Sequence, residues 1–141
     1  MGLFRDGITL ESLNKWSENT MTSHLDIEFM GLGEDFIEAT MPVDHRTQQP
    51  MGILHGGASV TLAETLGSVA ASCCIDLNKY YCVGLEINAN HIRSVKSGKV
   101  WGKAKPIHIG KKTQVWEIRI QDDGEKLVCI SRITLAVLER K

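Results

Sequence analysis

Apolar residues recur along this chain with two periods, and the change from one to the other marks out its elements. Thr9 followed by Leu10, Leu13 and Trp16 predicts an N-cap and a short amphipathic helix. Leu25, Ile27 and Phe29 alternate with polar positions, as do Ile37, Ala39, Met41 and Val43, so two strands with one core-facing side are expected. Pro42, the polar run from Asp44 to Gln49, Pro50 and Gly52 then break the alternation, and a long loop leads to His55-Gly56-Gly57. From Ala58 to Ile75 there is no proline and nearly every residue is small or apolar. That pattern predicts a helix buried on most sides, with Ala, Gly and Ser letting a sheet come close. Four strand-like runs follow, Tyr80 to His91, Lys99 to Ile109, Gln114 to Ile120 and Leu127 to Leu138, with Asp122-Asp123-Gly124 as the hairpin between the last two. One helix among about six strands joined mostly by hairpins implies an α+β fold, an antiparallel β-sheet wrapped around a long central helix.

At 141 residues, with 43% apolar content, the chain has room for one core, so a single domain over 1–141 is expected. A net charge of -1 excludes a uniformly basic nucleic-acid surface, and no nucleic-acid partner is expected. Met1 to Gly7 lacks the apolar stretch of a secretory signal, and no run of about 18 uncharged apolar residues exists to span a bilayer. A cytoplasmic protein without membrane partners is expected. Cys73, Cys74, Cys82 and Cys129 form no C-x-x-C pair, which suits reduced, mostly buried thiols. The five histidines show no H-E-x-x-H spacing, so neither a metal site nor a cofactor is predicted.

Between Thr47 and Ile75 the only acidic residue is Glu64, and the only other ordinary titrating group besides thiols is His55. A carboxylate on a helix built for burial is desolvated and its pKa tends upward, so its retention asks for a reason. Catalysis is one. The competing reading is a glutamate at a solvent-facing helix edge. His55-Gly56-Gly57 stands where a helix begins, a place that offers unpaired N–H groups and partial positive charge. A thioester carbonyl would be polarised there, although turns also use glycine for its backbone freedom. Joined to the downstream glutamate, the pair forms an acyl-transfer layout of oxyanion donor plus base or nucleophile.

Pro50 through Ser59, continued by Leu62-Ala63-Glu64, resembles the PaaI-type hotdog-fold thioesterases. With Met41 to Asp44, Gly84 to His91 and Ser131-Arg132, the resemblance extends over nearly the whole chain and is strongest to the bacterial branch of 1,4-dihydroxy-2-naphthoyl-CoA hydrolases and enterobactin-pathway proofreading thioesterases. It implies a hotdog fold and hydrolysis of an acyl-CoA, aromatic by preference, with menaquinone biosynthesis among that branch's settings. It implies further that Glu64 is nucleophile or general base and that the Gly56 N–H polarises the carbonyl. Gln49 and His55 would position the acyl end or the attacking water, and Ser68 would support the water or the carboxylate. Segments matching His91, Arg93 and Ser94, and His108, Gly110, Lys111, Lys112 and Thr113, would hold the nucleotide part of coenzyme A. A homodimer with shared active sites, paired again into a homotetramer, is the assembly it implies. Two other readings remain: a hotdog hydroxyacyl-thioester dehydratase, and an acyl-CoA-binding module without turnover.

Charge and distance bear on these expectations. From Asn88 to Trp116 there is no acidic residue, whereas Arg93, Lys96, Lys99, Lys103, Lys105, Lys111 and Lys112 are all basic. Coenzyme A phosphates need such donors at a pocket mouth, and strand lysines also serve simply to solvate a sheet. Gly56 and Glu64 lie eight positions apart, roughly 12 Å along one helix, which a glutamate side chain does not bridge. A second helix, antiparallel to the first in a two-fold dimer, would bring the two groups together.

Overall fold

The computed structural model describes residues 2–141. Helix α1 (Leu10–Trp16) begins as the sequence predicts: Thr9 Oγ1 accepts the Ser12 N–H and the Ser12 hydroxyl accepts the Thr9 N–H, both at 3.0 Å. Leu13 enters the core, whereas Trp16 stays exposed. The next segment departs from expectation. Thr20 and Ser23 cap a single helical turn, α2 (Met21–His24), and Asp26 turns the chain with φ 59, so β1 (Glu28–Leu32) starts later than the Leu25, Ile27, Phe29 alternation suggests. Ile27 and Phe29 are buried all the same, because a turn entering a strand presents the same alternation as the strand itself.

β2 (Ile37–Pro42) puts Ile37, Ala39 and Met41 in the core. α3 (Gly56–Cys73) starts two residues before the apolar run, because His55 caps it. β3 (Tyr80–His91) and β4 (Lys99–Ile109) match their predicted spans, while β5 (Thr113–Asp122) and β6 (Leu127–Glu139) run slightly longer than predicted. The hairpin between β5 and β6 is closed by Asp122, whose Oδ1 accepts the N–H groups of Gly124 and Lys126. The six strands form one antiparallel sheet in the order β1-β2-β4-β5-β6-β3, and β2 through β6 all contact α3. This is the hotdog arrangement.

Gly67 and Gly102 at the helix–sheet contact explain how closely the layers meet. A Cβ on Gly67 of α3 would stand 2.4 Å from Ile133, and one on Gly102 of β4 would stand 2.5 Å from Leu66. Leu62 and Leu66 are thereby fully buried, which stabilises the fold by about 1.5–3 kcal/mol each. Burial is one-sided, however. Ala58, Ser59, Leu62, Ala63, Leu66, Gly67, Ala70 and Ala71 face the sheet, while Val60, Thr61, Glu64, Thr65, Ser68 and Val69 are only partly covered. The expectation of a helix buried on most sides is corrected to one buried face and one half-open face.

All four cysteines are free. Burial pushes the Cys73 thiol up to about 11 and the Cys74 thiol up to about 12, and raises Cys82 and Cys129 as well.

Candidate active site

The loop before α3 is irregular but tightly tied. Thr47 is buried, its hydroxyl donates to the Pro42 carbonyl at 2.7 Å, and its own carbonyl accepts the His55 N–H at 2.8 Å. Leu54 donates to the Val95 carbonyl at 2.7 Å, which fixes the loop against the segment that follows β3. Gln49 closes the inner turn: its N–H donates to Ile53 O, its carbonyl accepts from Gly52, and its side-chain Oε1 accepts the Met51 N–H. With Oε1 so occupied, the amide Nε2 is left as a donor for a bound carbonyl or water.

His55 has the extended backbone of an N-cap, and its Nδ1 accepts the Gly57 N–H at 2.8 Å. An accepting Nδ1 carries no proton, so Nε2 is the donor. The Gly56 N–H donates to no group among the described residues, as expected of the first turn of a helix. His91, on the inward side of β3, stands over Gly56, with Nε2 2.9 Å from where a Gly56 Cβ would be. Gln49, Leu54, Gly56, Ser59, His91 and Arg93 line one cavity of about 310 Å³, which Ser94 also borders.

Glu64 and Ser68 lie two turns or more further along, one turn apart on the half-open face of α3. Glu64 has no hydrogen-bond or ion-pair partner among the described residues, and partial burial raises its pKa with nothing to oppose it. Its carboxylate stands beside Gly84 of β3, 2.8 Å from the position a Cβ would take there. Gly84 has no place among the residues predicted to form the site; the available signal was a glycine inside an otherwise β-forming run.

The other predicted group is at the far end of the helix. Gly110, Lys111 and Lys112, in the β4–β5 turn closed by the Gly110 N–H to Thr113 carbonyl bond, share a cavity of about 970 Å³ with Cys74 and Tyr80. His108, near the end of β4, folds over Gly110. One chain therefore gathers Gln49, His55, Gly56, His91, Arg93 and Ser94 at the start of α3, Glu64 and Ser68 midway, and His108 to Thr113 near its end. The basic segment also divides. Lys103 pairs with Glu38 at 2.7 Å and lies over the Phe36 ring, and Lys105 approaches Asp35 at 4.0 Å, so both belong to the outer face of the sheet. Arg93, Lys111 and Lys112 make no ion pair among the described residues.

A sheet-wrapped helix with free N–H groups at its start and an unpaired carboxylate on its open face has the parts for acyl transfer from a thioester. Residues 51–129 match the thioesterase superfamily. The Escherichia coli (strain K12) protein named 1,4-dihydroxy-2-naphthoyl-CoA hydrolase is 53% identical over 136 residues, 96% of this chain and 98% of that protein. Proofreading thioesterase EntH of Cronobacter turicensis is 48% identical over 137 residues, 96% of this chain and 98% of that one. The crystal structure of a mutant (Q49A) of thioesterase PA1618 from Pseudomonas aeruginosa matches with a TM-score of 0.97 at 48% identity, covering 99% of this chain and all of that one. The chain belongs to the thioesterase superfamily and is a thioester hydrolase. Among the described residues, no helix is long and apolar enough to cross a membrane.

Proposed function

We propose that this chain, one domain over 1–141, hydrolyses acyl-CoA thioesters to the free acid and coenzyme A, with aromatic acyl groups preferred and aliphatic ones accepted. The observation that carries the reading is Glu64: a carboxylate without partners among the described residues, partly desolvated, on the half-open face of α3. Desolvation raises its basicity toward working pH, which suits a nucleophile or general base. The Gly56 N–H polarises the thioester carbonyl, the Gln49 amide and His55 Nε2 orient acyl group and water, and Ser68 supports the carboxylate or the water. The naphthoyl ester in the name of the Escherichia coli relative supports an aromatic acyl group. Release of free thiol from a panel of aromatic and aliphatic CoA esters, wild type against Glu64→Ala, tests the proposal; no thiol release from any ester, or equal rates for the two proteins, would sink it. A single turnover in heavy-oxygen water then tests for nucleophilic attack by Glu64. An unlabelled acid product, with the heavy oxygen in Glu64, signals an anhydride opened at the glutamyl carbon, and a labelled acid signals water attacking the acyl carbon of the thioester or of the anhydride.

The site is shared between two protomers. Eight positions of α3, roughly 12 Å, separate Gly56 from Glu64 in one chain. Two α3 helices packed antiparallel along their half-open faces would bring Glu64 of one protomer to Gly56 of its partner, twice over. The same packing brings the turn carrying His108, Gly110, Lys111, Lys112 and Thr113 toward the partner's His91, Arg93 and Ser94, which together hold the coenzyme A phosphates. Two dimers pair into a tetramer. Co-refolding inactive Glu64→Ala with inactive His55→Ala gives heterodimers with one intact and one doubly damaged site. About half of randomly paired dimers are heterodimers, so about a quarter of wild-type activity returns if sites act independently. No recovery, with heterodimers seen by native mass spectrometry, would refute shared sites, and the same spectra read out dimer and tetramer.

A further inference from the structure

Gly67, Gly84 and Gly102 all stand where α3 meets the sheet, and Gly84 differs in kind from the other two. Cβ atoms built on Gly67 and Gly102 would strike apolar core atoms of Ile133, Ile118, Leu62 and Leu66. The three atoms nearest a Cβ on Gly84 all belong to Glu64: Oε1 at 2.8 Å, Cδ at 3.7 Å and Oε2 at 3.9 Å. The first distance is shorter than real Cβ contacts allow, so any side chain at this position would displace the carboxylate. Backbone conformation does not explain the glycine, because Gly84 is not among the residues of positive φ. Its partner across the sheet is the fully buried Leu135, so the empty position points inward, toward the helix. A bulge follows at once, with Leu85 as the extra residue between Gly84 and Glu86. Glycine within a strand weakens it by entropy and by lost packing, so at an edge strand such a residue is unfavourable unless its space is used.

We propose that Gly84 is a positioning residue for the thioesterase reaction: its missing side chain keeps open the space on β3 in which the Glu64 carboxylate stands. The inference rests on the proposed role of Glu64 and adds what holds that group in place. The alternative is a glycine retained by packing, like Gly67 and Gly102.

Gly84→Ala tests it. The strand accepts alanine, so the melting temperature stays level or rises, while kcat falls about 10²-fold, the effect of misplacing a reacting group by about 1 Å. KM changes little, because no substrate contact is removed. In a Glu64→Ala background the same substitution leaves the residual rate unchanged. In the Gly84→Ala protein, adding Glu64→Asp reduces kcat by a smaller factor than Glu64→Asp does alone, because the shorter side chain fits beside the methyl group. A normal kcat in Gly84→Ala, a lower melting temperature or failure to fold, or an equal kcat loss in the Glu64→Ala background would each overturn the proposal. Full activity in Glu64→Ala alone would overturn the catalytic reading and this one with it; an inactive Glu64→Ala beside a normal Gly84→Ala would overturn only the role of Gly84.

Discussion

The two faces of α3 follow opposite rules. Toward the sheet, every position from Ala58 to Ala71 that faces inward is apolar or small, and glycines at 67 and 102 let helix and strand approach until Leu62 and Leu66 are fully buried. On the half-open face stand Thr61, Glu64, Thr65 and Ser68, partly covered, with the Glu64 carboxylate beside Gly84 of the edge strand, destabilised by burial and without a partner among the described residues. One face is arranged for stability and gives up chemistry; the other carries the reactive groups and gives up stability.

Substitutions on the two faces should therefore separate activity from folding. The largest effect expected is from Glu64→Ala, which lowers turnover roughly 10²–10⁴-fold or more in a thiol-release assay. Its linkage to pH has a definite sign. Burial raises the Glu64 pKa above its unfolded value, so the stability linked to its neutral form is present at acid pH and is lost as pH rises through the folded-state pKa. Glu64→Gln should then raise the melting temperature at neutral pH and not at acid pH, and wild-type kcat/KM should fall on acidification above the range of an ordinary glutamate. A melting temperature lowered at neutral pH would break the contrast between the faces. Next, Leu66→Ala on the buried face should destabilise the protein by about 2–5 kcal/mol in urea, with the folded fraction still turning over. A smaller effect follows at the cavity rim: Arg93→Ala should raise KM for CoA esters about 10-fold or more by removing charge-assisted phosphate bonds, and leave short pantetheine esters nearly unaffected. Equal losses on both would contradict the phosphate assignment. The smallest belongs to the outer sheet face, where Lys103→Ala removes an ion pair with a part-exposed Glu38, changes stability by about 0–1 kcal/mol and leaves kcat/KM as it was.

Much of this fold is legible in the sequence, for reasons particular to each element. β3 and β4 are long, and their β-branched and aromatic runs end at clear breaks, so their observed limits match the predicted ones. α2 is a single turn, too short to show a period, and it displaces the start of β1. The helix is evident, but its two faces are not: a small residue reads as buried whether it packs on a sheet or lies half open. Glu64 is conspicuous because nothing acidic surrounds it in sequence, and His55 and Gly56 because they open the helix. Gly84 shows only as a glycine inside a β-forming run, since its meaning lies in an atom it lacks and in a side chain 20 positions away. The split of the basic segment is equally hidden, because Glu38 and Asp35, which engage Lys103 and Lys105, come from a distant stretch of chain.

The four cysteines carry one more consequence. A thioesterase of this kind releases a thiol, and a released thiol exchanges with any reactive sulfur nearby once it is oxidised to a disulfide. Exchange needs a thiolate, and burial holds Cys73 near 11 and Cys74 near 12, with Cys82 and Cys129 also raised. Burial favours the protonated form of all four at neutral pH, which disfavours mixed disulfides with the released thiol. The same shift slows attack on disulfide-based thiol reagents, so the colour such a reagent develops during turnover should come chiefly from the leaving group.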